Sequence, residues 1–235
     1  MSAVHVFLVL SNLAFLLPAV KSVQLHRWTR AFIYVLMIIA SSMYHACNSF
    51  ANACVFDPNT SRKLDFFFAQ WIVVYTALYL IKFPPKWAFI ERWLIIAFGV
   101  GIFVAEVFTD EPFLLQGIIA ALAAFMIIVY WIVFAVEEQR CFVELGKGKG
   151  ARLPRYDWSV LAQGFIITGL ACTLFATQKR SHILYPYVHM IWHILAALAQ
   201  YWILCCRDAA PRNAAIDGPL IWNSLKSSKR GRGEK

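Results

Sequence analysis

The stretch YPYVHMIWHILAALAQYWIL, residues 185–204, places His189 and His193 four apart in an otherwise apolar run. Four residues is just over one helical turn, so in a helix both imidazoles leave the same face. Two further stretches supply residue types that work with such a pair. ASSMYHACN, residues 40–48, carries His45 with Ser41 one turn before it, and DPNTSRKLDFFFAQW, residues 57–71, carries Asp65. Three neutral imidazoles with a fourth position left for water form a catalytic zinc arrangement. Zinc lowers the pKa of that water to about 7, which provides hydroxide at neutral pH. A carboxylate such as Asp65 can orient the water and take its proton. A hydroxyl such as Ser41 can hydrogen-bond the water or a developing oxyanion. His45, His189 and His193 are therefore the candidate metal ligands, and Ser41 and Asp65 the candidate catalytic pair.

Membrane helices must position these residues. The chain has 235 residues, of which 60% are hydrophobic and 15% charged, whereas a soluble domain is about half apolar and about a quarter charged. Apolar runs of spanning length, about 20 residues, recur along it. They predict an all-α membrane protein of seven spans, near residues 3–20, 31–47, 64–81, 88–106, 112–135, 158–176 and 183–205. The division is a seven-span domain over 1–205 and a basic cytosolic tail over 206–235.

Lys and Arg placement sets the orientation. An outside N-terminus and a cytosolic C-terminus put 18 of the 22 basic residues on the cytosolic side. The first apolar segment reads as a retained helix and not a signal peptide, because MSAVHVF has no basic n-region and the charges follow the segment. A net charge of +9 does not argue for nucleic acid here. It lies in short loops and a tail beside membrane helices, where it serves orientation and attraction to anionic inner-leaflet lipid.

Under this topology the depths of the candidate residues can be reckoned. At 1.5 Å per residue, His189 and His193 lie about 9 and about 15 Å below the outer end of the last helix. His45 comes about 9 Å short of the outer surface of a core about 30 Å thick. Asp65 falls at a similar depth if its helix starts near Asn59. Ionisable side chains at such depth are costly and usually face a bundle interior or a site. The alternative also stands: a His pair can hydrogen-bond backbone or Ser/Thr groups inside a helix bundle and hold nothing.

The joint pattern Ser-x-x-x-His, Asp, then His-x-x-x-His across seven helices resembles the CREST superfamily, which includes alkaline ceramidases, adiponectin-type receptors and the post-GPI-attachment phospholipase. LSNLAFLLP (10–18), MYHACN (43–48) and YPYVHMIWHILAA (185–197) are most similar to its myomaker and transmembrane-protein-eight branch. The resemblance covers roughly residues 5–205 and implies zinc as the cofactor. It places the zinc ligands on His45, His189 and His193, the acid on Asp65 and the serine on Ser41. One departure is Asn48, where relatives read HACD; an asparagine cannot act as a carboxylate. The loop still carries Cys47 and Cys54, which an outside compartment would allow to pair. The bland alternative is two independent small residues.

Two functions follow from the resemblance. One is a myomaker-like protein at the plasma membrane (or the Golgi) that promotes fusion of cells such as myoblasts, with membrane lipid, a partner fusogen and further copies of itself as candidate partners. The other is a zinc-dependent lipid hydrolase acting on GPI-phospholipid or ceramide. A chain close to a bare seven-helix core favours the first, and the complete set of Ser41, Asp65 and three histidines suits the second. Cys205 and Cys206, at the inner end of the last helix, suit palmitoylation. A channel is disfavoured because charge does not run in rows through several helices. The sequon Asn59-Thr60-Ser61 lies close to the membrane.

Overall fold

The computed structural model describes residues 3–50, 54–81, 83, 88–109, 111–144, 156–178 and 184–207. Among them the chain is all helical, with seven long helices. These are Ala3–Gln24, Trp28–Ser49, Pro58–Leu80, Ala88–Phe108, Pro112–Glu144, Trp158–Thr177 and Tyr185–Cys205. Nearly all of the proposed tail 206–235 lies outside the described residues.

Five of the seven are long and apolar enough to cross a membrane: the first, second, sixth and seventh, and the fifth over Pro112–Val136. The other two hold charge along their length, Arg62, Lys63 and Asp65 in the third and Glu91, Arg92 and Glu106 in the fourth. Packing explains how the third helix carries polar residues. It touches the second, fourth and fifth helices and buries Asp65, Gln70, Val74, Leu78 and Leu80. A helix enclosed by others need not present an apolar surface of its own. The outer helices do the reverse, with Val100, Leu122, Phe125, Ile166 and Leu170 exposed on their outward faces. An apolar belt of this kind is what hydrocarbon solvates.

Local sequence explains where the helices start and bend. Asp57 caps the third helix by accepting from the N–H groups of Asn59 and Thr60, both at 3.0 Å, with Pro58 at the first position. An Asp cap followed by proline starts a helix well, so this one begins six residues before the apolar run that predicted it. Asp157 caps the sixth helix in the same way through Ser159 and Val160. The first helix tightens to a 3-10 turn over Asn12–Phe15. Pro18 lies just beyond, and its ring and missing N–H oppose the regular α pattern with the carbonyl four residues back. This helix ends in a Schellman turn at His26 (φ 56°), with Arg27 N–H donating to Ser22 O and His26 N–H to Val23 O.

The seventh helix packs on the first and the sixth. Gly164 permits the closest approach: a Cβ there would stand 2.7 Å from Ile203 Cγ1. At the end away from the histidines, Tyr79 Oη donates to Leu204 O at 3.0 Å, Arg207 Nη1 to Tyr79 O at 3.1 Å, and Asp157 N–H to Cys206 O at 2.8 Å. These bonds tie the third, sixth and seventh helices together and so set the register in which the histidines meet.

Candidate metal centre

His45 leaves the second helix near its end, and His189 and His193 leave one face of the seventh helix near its start. The three converge. His45 Nε2 and His189 Nε2 are 3.2 Å apart, and one ligand nitrogen from each histidine lies within 4.8 Å of the others. All three are buried, His193 completely. Tyr44, Tyr185 and Trp192 form a collar of rings around them, with centroids 4.9–5.0 Å from the nearest imidazole.

The protons on these rings follow from their partners. Ser11 Oγ donates to Leu8 O at 2.6 Å, so it can only accept from His193 Nδ1, 2.8 Å away. That places the His193 proton on Nδ1 and a lone pair on Nε2, and Nε2 is buried with no hydrogen-bond partner. Gln178 Oε1 sits on His189 Nδ1 and accepts its proton in the same way, leaving a lone pair on His189 Nε2. Holding the far nitrogen by a hydrogen bond is how metal-ligating histidines are oriented.

His45 Nε2 can donate to His189 Nε2 in one tautomer, but the buried lone pair of His193 Nε2 stays unsatisfied, a cost that a shared cation would remove. The 3.2 Å between His45 and His189 Nε2 matches the edge of a tetrahedral zinc site, about 3.3 Å for Zn–N bonds of about 2.05 Å. The donor set could hold a metal ion, with His45, His189 and His193 as its ligands.

Asp65 and Ser41 stand beside this cluster. Both are buried, and the Ser41 hydroxyl neighbours the Asp65 carboxyl. Asp65 and His189 share a pocket with about 570 Å³ of space not filled by atoms, part of it open to the surroundings. Phe66, Phe113, Phe175 and Trp192 form its apolar wall, and Arg62 and Gln116 its polar points.

The structure bonds Cys47 to Cys54, with Cα atoms 4.3 Å apart, which closes the loop two residues beyond His45. Cys205 is half-buried and Cys206 buried. Asn59 is exposed, and its side chain accepts from Arg62 Nη2 at 3.0 Å.

The sequence reading missed Ser11, Gln178 and Glu106. The depth arithmetic could have found Ser11, about 12 Å along the first helix from Ala3. Gln178 sits at a helix end with no distinguishing spacing. Glu106, buried on the fourth helix, accepts from Gln70 Nε2 and is close enough to Asp65 for their charges to interact.

Comparison with known proteins agrees with a membrane protein of one particular kind. A family model described as "Protein of unknown function (DUF3522)" matches residues 1–194. Transmembrane protein 8B of Homo sapiens and that of Bos taurus are each 26% identical to the chain over 195 residues, which is 81% of this chain. The chain spans 38% of the length of these relatives.

Proposed function

Because this chain belongs to the DUF3522 family, we propose from its own site that it is a seven-span, zinc-holding membrane protein that hydrolyses acyl lipid in the outer leaflet. The observation that carries the reading is the pair of Nε2 atoms of His45 and His189, 3.2 Å apart, with His189 lining a pocket that has aromatic walls and a buried carboxyl. An outside N-terminus puts this pocket in the outer half of the bilayer, and the plasma membrane is the proposed address.

Bound zinc would supply an acidified water and a Lewis acid for a carbonyl oxygen. The chain's residues do the rest. Gln178 and Ser11 hold the His189 and His193 rings in the tautomer that presents Nε2. Asp65 orients the water and takes its proton. Ser41, beside the Asp65 carboxyl, donates to the oxyanion that develops on the ester or amide carbonyl. Phe113 and Phe175, with ring centroids 5.4 Å apart, line the path for the acyl chain and keep bulk water from the reacting atoms.

Promotion of cell–cell fusion is the second reading and draws on the motif resemblance. Chain length does not decide between the two, since the chain covers only part of its relatives. Cells expressing the chain, marked by two cytosolic dyes, would report content mixing, alone and with a partner fusogen supplied.

The test of the hydrolase is direct. Purified zinc-loaded protein is given phospholipid and ceramide in mixed micelles, and released fatty acid is measured by mass spectrometry. Release that disappears in Asp65→Asn and Ser41→Ala supports the reading. Wild type releasing no more than a His189→Ala/His193→Ala variant would sink it.

A further inference from the structure

We infer that the hydroxyls of Tyr44 and Tyr185 bind the acyl carbonyl of a lipid in this pocket, so that the site recognises the ester or amide linkage itself and not the chain alone. This rests on the reading of the pocket as a lipid site and adds two substrate-binding residues to it.

Helical spacing puts both tyrosines beside the candidate chemistry. Tyr185 is four residues before His189 and leaves the same face of the seventh helix, one turn nearer its start. Its ring stacks on the His189 imidazole, with centroids 5.0 Å apart and planes 22° from parallel. Tyr44 is three residues after Ser41 and shares that face of the second helix. Its ring centroid is 4.9 Å from that of His45. Both tyrosines line the pocket with Asp65 and His189, and both are half-buried. Each stands close enough to the Asp65 carboxyl to interact with its charge.

Among the described residues neither hydroxyl makes a hydrogen bond. A tyrosine sunk in an apolar setting usually finds a partner for its hydroxyl, because an unmet donor there costs free energy. The polar neighbours are engaged with one another: Asp65 with Ser41, and His189 Nδ1 with Gln178. Arg62 donates to Asn59 Oδ1 at 3.0 Å and interacts with the charge of Glu106. The aromatic wall of Phe66, Phe113, Phe175 and Trp192 supplies no acceptor. An acyl group does. Its carbonyl oxygen carries two lone pairs and an ester adds a second oxygen, so both phenols can donate alongside Ser41. A carbonyl held by these hydroxyls is held beside Asp65 and His189, where the hydrolase reading needs it.

The test reads binding apart from turnover. Zinc-loaded protein in nanodiscs is titrated with two fluorescent diglyceride analogues that cannot be hydrolysed as esters. One has each ester oxygen replaced by methylene and keeps its carbonyls as ketones; the other is the dialkyl ether, without carbonyls. Wild type is expected to prefer the ketone by about tenfold, the worth of one or two hydrogen bonds. Tyr44→Phe/Tyr185→Phe keeps both rings and should lose most of that preference, with zinc content unchanged. Each single variant should lose part of it and lower kcat/KM for diacyl lipid by a similar factor. If the preference follows the tyrosines but wild type releases no fatty acid, the hydrolase reading fails and the carbonyl assignment stands. The assignment is overturned if the double variant keeps the wild-type preference, or if wild type binds the two analogues equally. Loss of zinc from the double variant would also overturn it, because the tyrosines would then act as supports for the histidines.

Discussion

His45 on the second helix and His189 on the seventh are 144 residues apart in sequence, yet their Nε2 atoms stand 3.2 Å from each other. One tautomer of His45 would let its Nε2–H donate to His189 Nε2, but the His193 Nε2 is left without any partner, and a cation held by all three would satisfy every lone pair. Purified protein is expected to hold about one zinc per chain by elemental analysis, and His189→Ala/His193→Ala to hold none. Because ligand binding to the folded state stabilises it, chelation should lower the melting temperature of wild type and leave that of the double variant unchanged. Equal metal in both proteins would remove the site.

Ser11 and Gln178 hold the far nitrogens of His193 and His189. Replacing such an orienting partner typically costs about 10–100-fold in metal affinity. Ser11→Ala and Gln178→Ala are each expected to lose zinc to a competing chelator in that range, with helical content intact by circular dichroism. Chelator competition that matches wild type in both would mean the rings are held by packing alone.

Asp65 is assigned the proton and Ser41 the oxyanion, so their removal should affect rate and not metal content. Asp65→Asn keeps size nearly constant and is expected to lower lipid turnover by about 10²–10⁴-fold, the usual contribution of a general base. Zinc stoichiometry should remain at the wild-type value. If the variant instead loses zinc, Asp65 is part of the metal's support and the base lies elsewhere.

Gly164 faces Ile203 so closely that a Cβ would lie 2.7 Å from Ile203 Cγ1 and 3.2 Å from its backbone nitrogen. Gly164→Leu should force the sixth and seventh helices apart and cost about 1–3 kcal/mol, as overpacking does. Gly169, on the same helix with nothing within 4 Å of an added Cβ, is the control. Thermal melts in detergent would read the difference, and equal melting of Gly164→Leu and Gly169→Leu would contradict the packing described.

Acylation at the opposite end of the seventh helix should fall on Cys205, which is half-buried, and not on Cys206, which is buried. Acyl-exchange labelling is expected to disappear in Cys205→Ser and persist in Cys206→Ser. The reverse pattern would require the helix end to open before modification.

The Asp57 carboxyl is held below the usual aspartate range by hydrogen bonds from Thr60, side chain first and then N–H, and from the Asn59 N–H. A lowered folded-state pKa means the cap contributes at pH values above the usual aspartate pKa, about 3.9. That contribution is lost as pH falls through the lowered value. The melting temperature of wild type should therefore approach that of Asp57→Ala as pH is taken below about 4.

Much of this could be read in the sequence. The helices follow from apolar length, because hydrocarbon admits only backbones whose hydrogen bonds close within the segment. The shared face of His189 and His193 follows from helical periodicity, and the grouping of His45 and Asp65 with them from depth, since each is tied to a helix end by a fixed rise per residue. Depth, however, says nothing about rotation or neighbours. The tertiary structure decided that the charged third helix lies enclosed among the others, which is why Asp65 and Gln70 can be buried there. It also decided that Ser11 of the first helix and Gln178 at the end of the sixth meet the far nitrogens of His193 and His189, and that Arg62 joins Asp65 in one pocket. These relationships depend on which helices touch and at what angle, a matter of side-chain fit such as Ile203 against Gly164 that no periodicity along a single helix encodes.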